Sequence, residues 1–436
     1  MNPNPRRVAA RVVQQVVEDN AWSNVALDAA LRSTPLAGPD RGLCTQLVYG
    51  TLTWLRTIDA VLEANVKGKL TRVEPQVACI LRVAVYQLGW LDRVPDHAAV
   101  DQAVRHARKV RGRAAGFVNG VLRSTLRGRE TWPEIGGAFR AGDNPHTLAR
   151  RWSLPDWLAQ RWASQFGVEG AFSLAEAISL APPVCLRARG PEGRDLGSAG
   201  LLAPDAIRPE KWSRQVEEAI AGGLVAVQDE AAQLVSHLAG AAPGERVLDA
   251  CAGQGGKSLH LADAMGDTGE VVAADPVQER LERIPAHDRI QPLHGDLRQL
   301  SKGALAERTF DVVLIDAPCS GLGVLRRHPE GRWTRRDSDP ATQAALQAEL
   351  LDAALPLLAP GGRLVYAVCT TTPEEGPRQI EALLNRAPNL RLDLESGDPR
   401  VPWDRLRRDS HGFVTLPHEH DCDGFFMTRL RSQPER

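Results

Sequence analysis

Apolar residues recur at helical spacing through the first 130 positions of the chain. The first run carries five valines at helical intervals: Val8, Val12, Val13, Val16 and Val17. Apolar residues crowd together at positions 80–90, which predicts a central helix that is buried on most sides. Pro95 separates this run from two further helical patterns at 98–110 and 114–126. Residues 1–130 are therefore predicted to form an all-α bundle.

The next region, residues 131–222, has a different character. Tryptophans alternate with arginines in its first half, at Trp132, Trp152, Trp157 and Trp162. Such rings could stack on nucleic-acid bases, but large aromatic side chains in a small module more often form its core, and we favour the core. Runs at 182–189 and 222–228 predict two strands, and the glycine-rich stretch 190–200 predicts a loop. The pattern indicates a small α+β module that links two larger domains.

From residue 223 to residue 436, strand-like runs alternate with helical ones. The predicted strands lie at 246–249, 270–274, 290–293, 310–315 and 363–368. The predicted helices lie at 258–265, 278–284, 341–358 and 377–385. This alternation predicts a doubly wound α/β sheet, mostly parallel, with helices on both faces.

The overall charge does not indicate a partner. The chain has 436 residues, a formal net charge of −1, and hydrophobic and charged shares of 43% and 25%, as in an ordinary globular protein of two or three domains. Affinity for nucleic acid would have to come from local patches. One candidate lies between Asp101 and Glu130, two acids that enclose eight lysines and arginines. This block can neutralise phosphates, or it can be a solvated helix face.

Membrane insertion, secretion and disulfide bonding are all disfavoured. No apolar run approaches the roughly 20 residues of a membrane span, and no apolar segment follows Arg6 and Arg7 to make a signal peptide. The seven cysteines have irregular spacing, which is not a disulfide framework in a chain of this size. No C-x-x-C pair occurs, so a cysteine-only zinc site is disfavoured as well. We expect a cytoplasmic protein without a bound metal.

A glycine-rich turn follows the first predicted strand of the sheet. It consists of Cys251, Ala252, Gly253, Gln254, Gly255, Gly256 and Lys257, and such a turn lets a ligand approach the backbone closely. The dinucleotide pattern G-x-G-x-x-G is missing, and a P-loop would need a glycine where Cys251 stands, so NAD and ATP are disfavoured. S-adenosylmethionine, an adenosine ligand without a pyrophosphate, fits better.

Two carboxylates follow the next two predicted strands. Asp275 ends the second strand, where a carboxylate can accept both ribose hydroxyls, although such a residue commonly caps a helix instead. Asp296 follows the third strand and suits an adenine amino group or a nearby turn. Together with Asp249, they place acids at three successive strand ends, which is hard to explain by capping alone.

Two thiols and another carboxylate end the later strands. Asp316 and Cys319 follow the run 310–315, and Cys369 follows the run 363–368. Ligands of open α/β sheets bind beyond the carboxyl ends of the strands, so these groups are suited to covalent chemistry on a base. The remaining cysteines outside the glycine-rich turn are interpreted as small buried hydrophobes: Cys44, Cys79, Cys185 and Cys422.

These motifs together resemble the RNA 5-methylcytosine methyltransferases of the Sun/NSUN family. The resemblance rests on residues 249–257, Asp316-Ala-Pro-Cys319, Cys369 and the tail Asp423-Gly-Phe-Phe-Met427. It extends to the helical part, at 95–100 and 117–123, and so covers the whole chain. It implies a NusB-like RNA-binding domain at 1–130, a linking module at 131–222 and a Rossmann-like class I methyltransferase domain at 223–436.

The resemblance also implies roles at the site. S-adenosylmethionine would be the cofactor and small-subunit (16S) ribosomal RNA the substrate. Residues 251–257 would line the methionine end of the cofactor, while Asp275 would hold its ribose and Asp296 its adenine. Asp316 would adjoin the cofactor and handle the target cytosine. Two positions depart from the family pattern, because Gly253-Gln254 replaces the usual Ala-Pro and Val368-Cys369-Thr370 replaces Thr-Cys-Ser.

Methylation of cytosine at C5 needs activation, because C5 is a poor nucleophile. A thiolate that adds at C6 creates an enamine whose C5 can attack a methyl group, and the resemblance implies that Cys369 is this thiolate. We assign Cys319 to the release step that follows. The arginines after Cys319 are predicted to contact phosphates rather than form a merely solvated loop: Arg326, Arg327, Arg332, Arg335 and Arg336.

Three other functions remain open. A methyltransferase acting on amino groups would need an Asn/Asp-Pro-Pro-aromatic motif, where this chain has Asp316-Ala-Pro-Cys319. A non-catalytic RNA-binding assembly factor would tolerate loss of Cys369. A transcription regulator resting on the helical domain would act without residues 223–436. We favour the enzyme, and we expect it to be a monomer.

Overall fold

The computed structural model describes residues 4–66, 68–395 and 397–433. The chain forms two compact units. The first comprises the chain up to Leu180 together with a later segment, Leu325–Asp337, and the second comprises Ala181–Val324 and the chain from Ser338 onward. This division differs from the predicted one, because residues 131–180 belong to the first unit and residues 181–222 belong to the second.

The first unit is helical. Its helices are α1 (Pro5–Asp19), α2 (Ser23–Ser33), α3 (Gly38–Thr53), α4 (Leu55–Glu63), α5 (Pro75–Trp90), α6 (Asp96–Val110), α7 (Ala114–Arg127), α8 (Pro145–Arg151), α9 (Asp156–Ser179, interrupted at Gly167) and α15 (Gly331–Thr334). Short 3₁₀ turns lie at Leu70–Arg72 and Arg129–Thr131. The predicted all-α bundle is confirmed.

Local sequence explains where α1 begins and which face it buries. The side chain of Asn4 accepts hydrogen bonds from the backbone N–H groups of Arg6 and Arg7, at 3.0 and 3.3 Å, and Pro5 occupies the first helical position. The helix ends at Asn20 in the left-handed conformation. Its valines face the core, where Val8, Val12, Val13 and Val16 are buried.

The central helix and the tryptophans behave as expected of a core. Helix α5 is buried over most of its surface between Val77 and Leu88, which confirms the predicted central helix. Trp152 and Trp162 are only 6% and 3% exposed, and the ring of Trp152 stacks on Trp54 with centroids 6.1 Å apart. These two rings therefore belong to the core and do not form a stacking surface for bases.

The second unit begins with a small antiparallel sheet. Its strands are β1 (Leu186–Ala188), β2 (Ser198–Ala199), β3 (Ala206–Arg208) and β4 (Val225–Val227), in the order β2-β3-β1-β4, and α10 (Arg214–Ala221) packs on it. A 3₁₀ helix, Pro191–Leu196, lies in the stretch predicted as a loop. Strands β1 and β4 fall within the two runs that were predicted to be strands.

The main sheet of the second unit has the order β11-β12-β13-β9-β8-β5-β6-β7, and β10 also pairs with β13. Its strands are β5 (Arg246–Asp249), β6 (Glu270–Asp275), β7 (Ile290–His294), β8 (Phe310–Asp316), β9 (Leu358–Val368), β10 (Leu390–Leu392), β11 (Arg407–Asp409), β12 (Gly412–Thr415) and β13 (Phe425–Ser432). The five strands from β5 to β9 are parallel, as predicted, whereas β10–β13 add antiparallel pairs that the sequence analysis did not identify.

Helices cover both faces of the parallel strands. They are α11 (Glu230–Ala239), α12 (Gly256–Ala264), α13 (Gln278–Leu281), α14 (Leu297–Leu300), α16 (Asp339–Ala354), α17 (Pro377–Arg386) and α18 (Pro417–His420), with 3₁₀ turns at Leu355–Leu357 and Trp403–Arg405. Val247 packs in the core that includes residues of α11 and α12, and Leu248 packs in the core that includes residues of α16 and α17. Alternate residues of a strand thus serve opposite faces, and the predicted doubly wound architecture is confirmed. None of the helices in the described part of the chain is long and apolar enough to cross a bilayer.

Candidate active site

The carboxyl ends of the parallel strands bring the predicted site residues to one edge of the sheet. Strand β5 pairs in parallel with β6 and β8, and β8 pairs in parallel with β9. Asp249, Asp275 and Asp316 end three of these strands, and Cys369 follows the fourth. Residues separated by up to 120 positions therefore converge because the strands share one direction.

A cavity of about 270 Å³ lies at this edge. The predicted loop residues 251–257 line it, with the exception of Gly255, and Gln228, Ala232, Asp249 and Asp316 complete the lining. Gly255 has a left-handed backbone (φ 77°), and a Cβ there would lie 2.8 Å from the side chain of Ile284. The tight turn into α12 thus requires glycine at this position.

Asp249 is a buried support for the loop. Its Oδ2 accepts a hydrogen bond from the hydroxyl of Ser258 at 2.7 Å. Burial raises the pKa of Asp249 to about 6. The carboxyl group is 1% exposed, so it orders the start of α12 from inside the protein.

Asp275 holds the loop from the neighbouring strand. Its two oxygens accept hydrogen bonds from the backbone N–H groups of Gly253 and Val277, each at 2.9 Å. The contact with Val277 resembles the capping role considered as an alternative, but the contact with Gly253 ties the carboxylate to the cavity loop. Gly253 has φ 55°, a conformation that the alanine usual in the family would adopt only with strain.

Asp296 forms hydrogen bonds and an ion pair with a residue two positions further along the chain, Arg298. It caps α14 by accepting the N–H of Arg298 at 2.9 Å, and it forms a 2.6 Å ion pair with the guanidinium of Arg298. These hydrogen bonds lower the pKa of Asp296 below its usual value. Neither Asp275 nor Asp296 is among the described residues that line the cavity, so their predicted contacts with ribose and adenine stay predictions.

Asp316 forms an ion pair inside the cavity. The Nζ of Lys257 lies 2.5 Å from its Oδ2. Although burial opposes it, the charge on Asp316 raises the pKa of Lys257, and Cys369 acts in the same direction. The ammonium group also lies 5.6 Å from the ring centroid of Phe425, in the tail motif 423–427. Lys257 therefore places a buried positive charge beside both a carboxylate and a thiol.

The two predicted thiols are in direct contact. The Sγ atoms of Cys319 and Cys369 lie 3.1 Å apart, although the residues are 50 positions apart in the sequence. The hydrogen bond with Cys369 and burial both raise the pKa of Cys319 well above its usual value. Cys319 thus keeps its proton and can donate a hydrogen bond to the sulfur of Cys369. The other four cysteines proposed as core residues are all buried: Cys44, Cys79, Cys185 and Cys422.

Glu375 holds the Cys319 loop in place and was missed by the sequence analysis. Its carboxylate, which is 0% exposed, accepts hydrogen bonds from the N–H and hydroxyl of Ser320, at 2.8 and 2.5 Å. It also accepts from Thr372 at 2.9 Å and from Gln347 at 3.0 Å. Burial raises the pKa of Glu375 above its usual value. The hydroxyl-rich turn Thr370-Thr-Thr-Pro-Glu374-Glu375 after a strand was the available signal.

A backbone junction fixes the two thiol-bearing segments to each other. The N–H of Gly323 donates to the carbonyl of Cys369 at 3.0 Å, and the N–H of Gly424 donates to the carbonyl of Gly323 at 2.9 Å. A Cβ on Gly323 would lie only 1.8 Å from the carbonyl oxygen of Gly424. A Cβ on Gly424, the glycine of the tail motif 423–427, would lie 3.0 Å from the Cα of Gly323, so the backbones approach closely on both sides of the junction.

The arginines predicted to contact RNA lie in the segment that belongs to the helical unit. Within that unit, Arg332 is 0% exposed and donates to the backbone carbonyls of Thr53, Trp152 and Ile178 at 3.3, 3.4 and 2.9 Å. The structure contradicts its assignment to an RNA surface, because a fully buried guanidinium bound to carbonyl groups does not reach a phosphate.

The remaining arginines of this segment differ in exposure. Arg335 lies over the ring of Trp22 at 5.5 Å and is partly buried, as are Arg326 and Arg327, whereas Arg336 is exposed. Their predicted phosphate contacts stay predictions. Trp333 donates its indole N–H to the carbonyl of Leu52 at 2.7 Å, so it too is bound within the helical unit.

Comparisons with known proteins cover nearly all of the chain. A family model described as 16S rRNA methyltransferase RsmB/F matches residues 237–431, and a model of the NusB family matches residues 3–127. A probable ribosomal RNA small subunit methyltransferase B of Bacillus subtilis is 34% identical, with 98% of each chain covered. The ribosomal RNA small subunit methyltransferase B of Salmonella arizonae is 35% identical, again with 98% of each covered.

Solved structures agree with the fold. The crystal structure of PH0851 matches with a TM-score of 0.81 and 23% identity, and 99% of each chain is covered. A methyltransferase homolog from Pyrococcus horikoshii matches with a TM-score of 0.54 and 24% identity, covering 65% of this chain and 97% of that one. At these identities the matches establish the shared architecture.

Proposed function

Because this chain belongs to the RsmB/F family of 16S rRNA methyltransferases, we propose that it methylates C5 of a cytosine in small-subunit ribosomal RNA, with S-adenosylmethionine as the methyl donor. The observation that carries the cytosine assignment is the pair of thiols, Cys319 and Cys369, in contact at 3.1 Å beside Asp316. Methyl transfer to an amino nitrogen needs no thiol, whereas transfer to a carbon of the pyrimidine ring gains from one that adds covalently to the ring. We place this activity in the cytoplasm and expect a monomer.

The cavity residues suit the proposed methyl donor. Loop 251–257 presents backbone to a cavity of about 270 Å³, and the nearby Asp275 retains lone pairs for ribose hydroxyls beside its two backbone contacts. Asp296 would approach the adenine once its pairing with Arg298 is rearranged or shared. S-adenosylmethionine, when bound, supplies an electrophilic methyl group.

Cys369 is the proposed nucleophile. Its thiolate would form a bond to C6 of the cytosine, and the electron pair of the C5–C6 double bond would shift so that C5 becomes electron-rich. C5 would then bond to the methyl group, whose bond to the sulfonium sulfur of the donor would break with the electron pair staying on that sulfur. Two groups would stabilise the thiolate of Cys369. The ammonium of Lys257 supplies a nearby positive charge, and the thiol of Cys319 can donate a hydrogen bond to the sulfur of Cys369. Asp316 would accept a hydrogen bond from the exocyclic amino group of the cytosine.

Release requires two bonds to break. The proton on C5 would leave to solvent, its electron pair would restore the C5–C6 double bond, and the bond between C6 and the sulfur of Cys369 would break. The departing thiolate would again accept the hydrogen bond from Cys319, which makes it a better leaving group. Glu375 does not touch the base in this scheme; it positions Cys319 through Ser320.

The target base would have to leave its stack to meet this edge. A cytosine in a loop or another unpaired segment loses least when it is turned out, so we propose an unpaired cytosine as the target. Arg326, Arg327, Arg335 and Arg336 would contribute phosphate contacts, and Arg332 would not.

The test compares methyl transfer from labelled S-adenosylmethionine to unmodified small-subunit ribosomal RNA. We expect label on cytosine C5 with the wild type, none with Cys369→Ala, and a covalent RNA–protein adduct that accumulates with Cys319→Ala. Cys185→Ala, at a buried cysteine of the same unit, is the matched control and should keep the activity. Label that persists without Cys369 would refute the nucleophile assignment, and label on an amino nitrogen would refute the C5 assignment. Wild type that binds RNA without transferring label would favour a non-catalytic assembly role.

A further inference from the structure

Two buried histidines in the sheet unit face one carboxylate. His237 lies on α11 and His260 on α12, and Asp205 immediately precedes β3. The Nε2 atoms of His237 and His260 lie 3.5 and 3.9 Å from the Oδ2 of Asp205. Both distances exceed the 2.7–3.2 Å of a good hydrogen bond. The three residues can each offer one ligand atom, and these atoms lie within 4.8 Å of one another.

The imidazoles are buried and incompletely satisfied. His237 and His260 are 5% and 3% exposed. Among the residues that the structure describes, the Nε2 of His237, which faces Asp205, has no hydrogen-bond partner, and the unpaired nitrogen of His260 is Nδ1 rather than the Nε2 that faces Asp205. Buried nitrogen atoms in proteins are nearly always paired, so the unpaired Nε2 of His237 calls for a ligand that it could bind. A nitrogen lone pair beside a carboxylate oxygen suits a cation.

The other side of His237 is arranged as in metal-bound histidines. Its Nδ1 lies 3.0 Å from the Oδ2 of Asp398, and Arg400 in turn holds Asp398 at 2.7 Å. An N–H at Nδ1 that is fixed by a carboxylate leaves the lone pair at Nε2, which then points toward Asp205. This carboxylate–histidine pairing is the usual support of a histidine ligand.

The charges at the cluster are compatible with a cation. A metal ion binds the neutral form of an imidazole and the deprotonated form of a carboxyl group. Arg194 and Arg400 approach the Oδ1 of Asp205, at 2.7 and 3.7 Å, and leave its Oδ2 to the histidines. Both guanidiniums are about half exposed, so solvent screens their repulsion of a cation.

We propose that His237, His260 and Asp205 bind a divalent transition-metal ion of the zinc type. Ligands at about 2.0–2.1 Å from a tetrahedral ion lie about 3.3 Å from one another. The two separations from Asp205 are 3.5 and 3.9 Å, and all three ligand atoms lie within 4.8 Å of one another, so the side chains would have to draw together to reach that geometry. Water would take the fourth position. None of the three residues lines the cavity at the active-site edge, so the ion is structural.

Such an ion would join segments that are distant in sequence. Asp205 belongs to the small antiparallel sheet, whereas α11 and α12 cover the main sheet. Through Asp398, the link also reaches the region before β11. The ion would thus act as a staple within the second unit, and it would stabilise the folded chain in proportion to its occupancy.

The test must exclude the two thiols, since Cys319 and Cys369 could bind zinc themselves. The full chain carrying Cys319→Ala and Cys369→Ala is stripped with a chelator, dialysed, and titrated with Zn²⁺ or Co²⁺. We expect one ion per chain by elemental analysis, a tetrahedral Co²⁺ absorption without a sulfur charge-transfer band, and a melting temperature that rises with Zn²⁺. The substitutions His237→Gln and His260→Gln should each reduce the affinity for Zn²⁺ at least 100-fold.

The matched control is His146→Gln, which alters an exposed histidine of the helical unit and should leave the binding unchanged. If the His237→Gln and His260→Gln chains do not fold, the Co²⁺ spectrum of the parent still decides the question. No bound ion in the parent chain overturns the proposal, and so does an ion that survives His260→Gln. Binding that requires the thiols would place the metal at the active-site edge and would equally overturn it.

Discussion

Gly323 is the position where the smallest change should separate the two thiols. In Gly323→Ala, the added methyl would lie 1.8 Å from the carbonyl oxygen of Gly424 and 3.0 Å from that of Cys369. Both obstacles are backbone atoms, so no side chain can rotate away. The Gly323 segment must retreat by more than about 1 Å to restore ordinary contact distances. The substitution therefore breaks the junction between the Cys319 loop, the end of β9 and the tail motif.

The cost can be estimated from the contacts that are lost. Two buried backbone hydrogen bonds, at 3.0 and 2.9 Å, are stretched or broken. Each unmade buried hydrogen bond costs about 1–3 kcal/mol, and overpacking adds about 1–3 kcal/mol. We expect a loss of about 3–9 kcal/mol in the free energy of unfolding of the sheet unit. A shift of about 1 Å between Cys319 and Cys369 should also lower the rate of methyl transfer by roughly 100-fold.

The assay combines thermal unfolding with single-turnover methyl transfer. Gly42→Ala is the matched control, because its Cβ meets nothing within 4 Å on the exposed side of α3. That variant should be as stable as the wild type or slightly more stable. An unchanged melting temperature and full turnover in Gly323→Ala would show that the backbone adapts to the added methyl group without cost. The conclusion that this junction positions the two thiols would then be wrong.

Three further outcomes are expected. Asp249→Asn should remove a pH dependence of the free energy of unfolding, because burial raises the pKa of Asp249 to about 6 from an unfolded value of about 3.9. The stability that the protonated carboxyl group contributes is present below about pH 4 and is lost, by about 3 kcal/mol, as the pH rises through 6. Urea unfolding from pH 4 to 8 measures this loss, and parallel curves for the wild type and the variant would contradict it. Arg332→Met should lower the melting temperature of the helical unit and leave the salt dependence of RNA binding unchanged. Arg336→Ala should reduce that salt dependence with little effect on stability. The reverse pattern would show that Arg332 contacts RNA. Lys257→Met should slow the alkylation of Cys369 by iodoacetamide at pH 7.5, followed by mass spectrometry, because the thiolate loses a neighbouring positive charge; an unchanged rate would exclude this role.

The parallel half of the sheet could be predicted because its signals are local. Strands β5, β6 and β8 are short apolar runs, β5 and β6 are each followed by a turn and a helix, and the pairing of the strands follows from the rule for crossover connections. The antiparallel strands β10–β13 were missed, since nothing local indicates that residues 425–432 insert between β9 and β12. The tail motif 423–427, which overlaps the start of β13, was recognised only as a family motif and not as part of a strand.

Site residues with chemistry of their own could be identified in advance, and supporting residues could not. Cys319, Cys369 and Asp316 follow strands and carry reactive groups, so their positions indicated their importance. Glu375 matters only because the fold buries it beneath Ser320. The role predicted for Arg332 was wrong for the converse reason. A basic cluster in the sequence does not reveal that one of its members is buried among helix carbonyls.

The return of Leu325–Asp337 to the helical unit makes the order of synthesis relevant to folding. The helices up to Leu180 leave the ribosome well before Arg332, which follows β8 in the sequence. Until Arg332 has been made, the carbonyl groups of Thr53, Trp152 and Ile178 lack the guanidinium that binds them in the folded protein. In a nascent chain of 180 residues, these carbonyl groups would therefore lack the hydrogen-bond donor that Arg332 provides. The helical unit reaches its full stability only after the first four of the nine strands of the main sheet have been made, so its folding is coupled to the synthesis of part of the other unit.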